Sequence, residues 1–254
     1  MSGKQRAEPK QVSFLVKCYT YVFVWPLLGL ATAGFGCVSL LCGLWDKAGS
    51  QQHAIARTWA NALLLISLSP VKLVGRENLL TGSVAVYASN HLSYYDTPVL
   101  FGKLPFQFRI LAKQALWPIP FVGWYLNRSG QVPIDIGSGR SAIAGLLRGV
   151  KTLKSGLPLV IFPEGGRAEF GKMTPFQSGA AFMAIKAQVP LVPMALVGTY
   201  EMLPIHTYHL TPRPLKIVVG EAISTAGMAT RDAETLSERL FAEIATLYME
   251  HHRV

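Results

Sequence analysis

The 254-residue sequence is poor in charged residues and in cysteine. Only 15% of its residues are charged, whereas 50% are hydrophobic. This composition excludes a disordered chain, because such chains carry many charges and few apolar residues. The three cysteines, Cys18, Cys37 and Cys42, all lie in one apolar stretch. Their odd number and irregular spacing indicate no disulfide framework, so we expect the bulk of the chain to occupy a reducing compartment.

Acidic residues are scarce. Lysine and arginine total 24 against 14 aspartates and glutamates, which gives a formal net charge of +10. Together with a positive mean hydropathy of +0.32, this charge favours a protein that works at an anionic membrane surface. A nucleic-acid binder is the alternative, but the sequence has no zinc finger, no recognition-helix motif and no aromatic platform for single strands. We therefore expect a bilayer partner and no nucleic acid.

The longest uncharged stretch runs from Cys18 to Trp45. Since roughly 20 apolar residues cross a bilayer as a helix, this stretch is long enough to span one. It could also bend, at Pro26 or at the glycines that follow, into a re-entrant pair of short helices. A second apolar run, Trp59 to Leu68, follows a polar segment.

A secretory signal peptide is an alternative interpretation of this region, because basic residues precede it and Ala33 ends a small-residue cleavage pattern. Against it, apolar residues continue past Ala33 to Trp45. Lysines and arginines flank the stretch on both sides, which favours a hairpin with both ends on one face of the membrane. We predict that residues 1–69 form a membrane-associated helical hairpin, with the domain that follows it on the cytoplasmic face of the cell membrane.

Residues 70–254 have the pattern of an α/β domain. Short apolar runs suited to buried strands alternate with segments of helical periodicity. The predicted strands are Val71–Val74, Ser83–Ala88, Gln107–Ala112, Val132–Ile136, Leu157–Phe162, Leu191–Val197 and Leu215–Val219. The predicted helices are Ser141–Leu153, Ser178–Ala187 and Ala233–Tyr248. This alternation predicts a mostly parallel or mixed sheet flanked by helices.

The first chemical motif, Asn90 to Asp96, directly follows a predicted strand, at the sheet edge where α/β proteins build their sites. His91 can exchange a proton near neutral pH, and a carboxylate such as Asp96 can fix its tautomer. On an ideal helix the two side chains would point roughly 140° apart. They can meet only if loop changes to helix between them, with Ser93 as a plausible N-cap. Alternatively, Ser93 and Asp96 form a capping box, and His91 is an ordinary loop residue.

The second motif, Phe162-Pro163-Glu164-Gly165-Gly166-Arg167, also follows a predicted strand. Gly165 would let the backbone approach a ligand closely, and the Arg167 guanidinium matches the geometry of phosphate oxygens. Glu164 could orient Arg167 or accept a hydrogen bond from a substrate hydroxyl. The alternative is a polar turn with a local Glu–Arg pair. We expect no metal, because the pair His206 and His209 lacks a convincing third ligand.

Together, the motifs Asn90-His91-x4-Asp96 and Phe162-Pro163-Glu164-Gly165-x-Arg167 resemble the first and third motifs of the glycerolipid acyltransferases. The likeness is closest to bacterial-type 1-acyl-sn-glycerol-3-phosphate (lysophosphatidate) acyltransferases. The segments 112–123 and 189–194 agree with it. The resemblance implies transfer of a fatty acyl group from acyl-CoA or acyl carrier protein to the hydroxyl of a lyso-lipid acceptor, without a further cofactor.

The resemblance also implies roles for individual residues. His91 would be the base and Asp96 its partner, while Glu164, Gly165, Arg167 and Lys113 would form the acceptor site. One departure concerns the family's second motif, where an arginine usually follows the strand aspartate. Here Ile136 follows Asp135 and the nearest arginine is Arg140, so either Arg140 binds the headgroup or the headgroup is bound differently. Another lyso-lipid acceptor, such as lyso-ornithine lipid, and a non-catalytic membrane-anchored lipid-binding protein remain alternatives.

Overall fold

The computed structural model describes residues 13–135, 137, 139–167 and 171–252. Its helices are α1 (Phe14–Cys18), α2 (Trp25–Cys42), α3 (Ser50–Ile66), α4 (Asp96–Lys103), α5 (Val122–Arg128), α6 (Gly139–Lys154), α7 (Gly179–Ala187), α8 (Thr199–Met202) and α9 (Ala233–His252). Its strands are β1 (Val71–Val74), β2 (Val86–Ser89), β3 (Arg109–Lys113), β4 (Val132–Ile134), β5 (Leu159–Ile161), β6 (Leu191–Val197) and β7 (Leu215–Val219).

The strands form one seven-stranded mixed sheet in the order β1-β7-β6-β2-β5-β3-β4. Neighbouring strands run parallel except β6 and β7, which are antiparallel. This confirms the predicted fold class. All seven predicted strands form, and β1, β6 and β7 have the predicted bounds. Ile136, the predicted end of β4, lies outside the described residues.

Strand residues alternate between two apolar layers because successive side chains point to opposite faces. Tyr87 packs with α3 and α4 on one face, whereas Val86 and Ala88 pack with α6, α7 and α9 on the other. The first layer also contains Val24 and Leu28 from the N-terminal helices. The N-terminal segment therefore shares a core with the sheet, and a domain boundary near residue 69 stays a prediction.

The N-terminal apolar segment is one helix, Phe14–Cys42, with a π-helical turn at Tyr19–Val24. The π turn lies just before Pro26, whose missing N–H disrupts regular helical hydrogen bonding. The helix does not fold back at Pro26 or at the following glycines; the return segment is α3, which packs beside α2. By length and composition Phe14–Cys42 could cross a bilayer, and 17% of its most apolar window is buried. A signal sequence meets the same criteria.

Candidate active site

His91 and Asp96 meet at the end of β2. The imidazole Nδ1 lies 2.8 Å from the Asp96 carboxylate Oδ2, and Asp96 is fully buried. The same oxygen accepts hydrogen bonds from the backbone N–H groups of Leu92 and Ser93, both at 2.7 Å. An ionised carboxylate can only accept, so Nδ1 carries a proton, and in the neutral imidazole Nε2 then holds the free lone pair. Within the described ranges no group forms a hydrogen bond with Nε2.

The change from loop to helix occurs between these two residues, as their spacing requires. Helix α4 begins at Asp96, with Tyr95 rather than the predicted Ser93 at the N-cap position. Ser93 still acts as a capping side chain in the turn before the helix, because its oxygen accepts the Tyr95 N–H at 3.3 Å. Its hydroxyl also donates to the Leu203 carbonyl, at 3.0 Å. Because the Asp96 carboxylate accepts from both the loop backbone and the imidazole, the helix-start contacts and the histidine contact coexist rather than compete.

The loop that carries His91 is tied to the sheet on both sides. Asn90 is fully buried and pairs its amide with the backbone of Leu196, donating to the carbonyl at 3.0 Å and accepting from the N–H at 2.7 Å. Phe162, at the end of β5, stacks on the imidazole with ring centroids 4.0 Å apart. Sequence reasoning gave neither residue an individual role. Their positions in the sequence could have indicated such roles, because Asn90 directly follows β2 and Phe162 directly follows β5, and these two strands are paired in the sheet.

Glu164 makes different contacts from those expected. Its Oε1 accepts the backbone N–H of His91 at 2.7 Å, and its Oε2 accepts the N–H and hydroxyl of Thr174 at 3.0 and 3.1 Å. Burial raises the pKa of Glu164, and these hydrogen bonds oppose the rise. Among the residues that the structure describes, the hydrogen-bond partners of the Glu164 carboxylate are His91 and Thr174, and Arg167 forms no ion pair with it. The register of the sheet explains this arrangement. Ala88 pairs with Ile161 in the parallel ladder, so His91 and Glu164, each three positions later, lie close together.

Two cationic side chains line the same cavity as the histidine. The Arg167 guanidinium lies over the Tyr94 ring, 3.8 Å from its centroid. The Lys113 ammonium lies 3.5 Å from the position that a Cβ would take on Gly166. Gly165 has a φ of +71°, a conformation that favours glycine. The geometry thus brings a fork donor and a second cation to the same edge as His91.

An apolar cavity of about 650 Å³ opens at this edge. His91, Lys113, Gly165 and Arg167 line it, so the predicted base and the predicted phosphate-binding groups share one cavity. The remaining lining is mostly apolar and includes residues of the N-terminal helices and β3: Phe35, Ile55, Trp59, Ile110, Leu111 and Ala112. Arg140 is exposed at the start of α6 and does not line the cavity, so a role for it in acceptor binding stays a prediction.

Comparison with known proteins agrees with this arrangement. Residues 70–197 match the family model described as Acyltransferase. The chain belongs to the acyltransferase family. It is 35% identical over 60% of its length to the chloroplastic 1-acyl-sn-glycerol-3-phosphate acyltransferase BAT2 of Brassica napus, covering 44% of that protein. It is 34% identical over 68% of its length to the 1-acyl-sn-glycerol-3-phosphate acyltransferase of Saccharomyces cerevisiae, covering 58% of it.

A bacterial protein and a solved structure with similar names also resemble this chain. The 1-acyl-sn-glycerol-3-phosphate acyltransferase of Borreliella burgdorferi is 32% identical over 52% of this chain and 54% of its own length. The chain thus spans about half the length of these three relatives. The crystal structure of the 1-acyl-sn-glycerophosphate (LPA) acyltransferase PlsC from Thermotoga maritima is 22% identical, with a TM-score of 0.76 over 94% of this chain and 96% of that one. That acyltransferase therefore shares this fold over nearly the whole chain.

Proposed function

We propose that the protein transfers a fatty acyl group from a thioester to the free hydroxyl of a lysophospholipid, with lysophosphatidate as the acceptor and phosphatidate as the product. One observation carries the proposal: His91, paired with Asp96, lines an apolar cavity that the cationic side chains of Lys113 and Arg167 also line. The relatives named above are 1-acyl-sn-glycerol-3-phosphate acyltransferases, which supports the same reaction.

The reaction follows from the tautomer of His91. Nε2 takes the proton of the acceptor hydroxyl as its oxygen attacks the thioester carbonyl carbon. The carbon–sulfur bond of the resulting tetrahedral intermediate then breaks, and the imidazolium returns the proton to the departing thiolate. Asp96 stabilises the imidazolium formed between the two steps. No serine or cysteine nucleophile is needed, because the lipid hydroxyl attacks directly.

The acceptor fits the site by charge and by polarity. A phosphate monoester carries up to two negative charges, which the guanidinium of Arg167 and the ammonium of Lys113 can bind. The apolar part of the cavity can remove acyl-chain carbons from water. Each methylene that is buried in this way contributes about 0.8 kcal/mol to the free energy of binding. Acyl-CoA and acyl carrier protein both supply such a thioester, and the assay below separates them.

The test is an assay of the purified full chain with labelled acyl-CoA or acyl carrier protein. The acceptors are lysophosphatidate, lysophosphatidylglycerol, lyso-ornithine lipid and glycerol-3-phosphate. We expect His91→Ala to lower turnover by about 10²- to 10⁴-fold and Arg167→Ala mainly to raise KM for phosphorylated acceptors. His206→Asn, in an exposed loop, is the matched control. Lipid binding without turnover in the wild type would instead support a non-catalytic lipid-binding protein.

A different lyso-lipid acceptor is the second candidate. It is favoured by the position of Arg140, which is exposed and outside the cavity lining, and by Ile136 at the position where the family's second motif has arginine. If the headgroup lacks a phosphate monoester, lyso-ornithine lipid or lysophosphatidylglycerol will be used at a higher kcat/KM than lysophosphatidate. The same acceptor panel decides between the two.

The proposed cellular setting is the cytoplasmic face of the membrane, in phospholipid biosynthesis. The apolar helix Phe14–Cys42 and the basic residues that flank it support this setting. Protease treatment of right-side-out and inside-out vesicles tests the orientation. Cleavage of the domain only in inside-out vesicles is the expected result, and cleavage only in right-side-out vesicles would place the domain on the opposite face.

A further inference from the structure

An aromatic turn, residues 116–124, stands between the cavity and solvent. Several of its apolar side chains are exposed, with Phe121 at 60% and Trp124 at 54%, and Leu116, Ile119 and Val122 between 37% and 44%. A contiguous exposed patch of large apolar side chains marks an interaction surface more often than chance exposure does.

The backbone of the aromatic turn has an unusual conformation that depends on particular residues. Phe121 has a φ of +63°, a region that large side chains rarely occupy and that tends to persist where function requires it. The Phe121 ring packs on Trp124, with centroids 5.1 Å apart. At Gly123 a Cβ would clash with the carbonyl oxygen of Trp117, so only glycine fits. The fold therefore keeps the rings of Phe121 and Trp124 exposed even though the positive φ of Phe121 is energetically unfavourable.

The aromatic turn connects two features of the structure. Leu116, Phe121 and Val122 line the cavity that contains His91. On its other side, Trp124 lines a groove shared with Leu41 and Leu44 of the segment that ends α2. Both leucines are exposed as well. The turn is thus continuous with the exposed apolar face of the N-terminal helix and stands at the cavity itself.

The sequence around the aromatic turn carries charges of one sign only. The sequence contains no aspartate or glutamate between Asp96 and Asp135. In that interval it carries Lys103, Arg109, Lys113 and Arg128. The exposed Arg128 donates to the carbonyl of Gly43 at 3.0 Å, which fixes a cation beside the groove. Exposed aromatic rings beside the exposed cations Lys113 and Arg128 match the headgroup region of an anionic bilayer. Asp46, an acid near the groove, is buried and lies close to the buried Arg109.

We propose that the aromatic turn is a membrane contact separate from the N-terminal helix, in which Phe121 and Trp124 insert into the headgroup region of an anionic bilayer beside the cavity. A lipid chain then passes from the bilayer into the cavity along a continuous apolar surface. The path for the substrate rests on the proposed function, whereas the membrane contact itself does not.

The direct test uses the fluorescence of the full-length protein on phosphatidylglycerol vesicles with brominated acyl chains, which quench only tryptophans that approach the lipid. The chain has five tryptophans. We expect Trp124→Phe, which keeps an apolar ring, to remove a quenched component of the emission. An unchanged quenched fraction in this variant would overturn the proposal, and this readout requires no catalytic activity.

A second test separates membrane contact from folding and from catalysis. Phe121→Gly relieves the positive φ, so its melting temperature should not fall through strain, and we expect its affinity for anionic vesicles to drop several-fold. Trp124→Ser should raise KM several-fold for lysolipid presented in vesicles, yet leave turnover of a short-chain, water-soluble lysolipid unchanged. Met249→Ser, an equally exposed apolar residue on α9, is the matched control.

The outcomes distinguish the proposals. If no acceptor is acylated but Trp124 is quenched by lipid, the proposed function fails and the membrane contact stands. If Trp124→Ser changes the oligomeric state in detergent and Trp124 is not quenched, the turn is an interface between copies of the chain and the membrane proposal is wrong. Equal vesicle affinity of Phe121→Gly and the wild type would also refute it.

Discussion

Replacing Glu164 with glutamine tests whether this carboxylate positions His91 or binds substrate. The carboxylate joins two segments, because one oxygen accepts the His91 N–H while the other accepts two donors of Thr174. Glu164 is 8% exposed, so water does not readily replace these contacts. An amide of the same shape has one acceptor oxygen and must turn its NH₂ group towards one of the backbone N–H groups.

The cost follows from these contacts. A hydrogen bond to a charged group contributes about 1.5–3 kcal/mol, and a buried donor left unpaired costs about 1–3 kcal/mol. Since Glu164→Gln removes the charge from these contacts and sets its NH₂ group against one buried backbone N–H, we expect the free energy of unfolding to fall by roughly 2–4 kcal/mol. Displacing the His91 backbone should lower kcat by about 10- to 100-fold, because misplacement of a base by an ångström has effects of this size.

The assay combines urea unfolding in detergent with steady-state kinetics at saturating acyl donor. A positioning role predicts a lower kcat with little change in KM for the acceptor. Thr174→Val is the matched control, because it removes only the hydroxyl contact and should cost about 1 kcal/mol. If Glu164→Gln retains its stability and kcat but raises acceptor KM strongly, the carboxylate binds substrate and the positioning argument fails.

Three further predictions concern buried polar groups. Asp96→Asn should lower kcat by about 10²- to 10⁴-fold, because an amide no longer fixes the Nδ1–H tautomer of His91; near-wild-type kcat in a steady-state assay would contradict this. Asn90→Ala should lower the free energy of unfolding by roughly 2–3 kcal/mol, since it leaves both backbone groups of Leu196 without their partners, as measured by urea titration. Burial, with Arg57 and Arg109 nearby, lowers the pKa of His53 to about 4 from 6.5. The folded state therefore resists protonation of His53, and roughly 3 kcal/mol of stability should be lost as the pH falls from 6.5 to 4. The melting temperature should depend less on pH across that range in His53→Phe than in the wild type. An equal dependence in both proteins would refute the role of His53.

The local sequence pattern predicted the positions of the strands well. Strands β1, β6 and β7 begin and end at the predicted residues, because short runs of Val, Ile and Leu bounded by polar or turn residues suit buried strands. The start of β2 was placed too early, at Ser83 instead of Val86. Ladder bonds require partner strands, and the neighbours β5 and β6 begin opposite Val86, at Leu159 and Leu191.

The helix prediction near the first motif was wrong in detail for a related reason. A capping residue is normally inferred from its own side chain, and Ser93 has the residue type of an N-cap. Its oxygen does accept the Tyr95 N–H, but its hydroxyl also donates to the carbonyl of Leu203, more than a hundred residues away, and α4 begins only at Asp96. The local pattern contains no information about that contact, which depends on the packing of α8 beside the loop.

The order of residues along the chain is enough to show which chemical groups follow the strands, namely His91 and Asp96 after β2, and Glu164 and Arg167 after β5. Hydrophobic periodicity is a local property, so these positions could be found without knowledge of the fold. The pairing of β2 with β5 in parallel, and of β7 with β6 in antiparallel, is visible only in the folded molecule. Strand order and register arise from long-range packing of both sheet faces, and they place Glu164 against the His91 backbone and Phe162 against its ring.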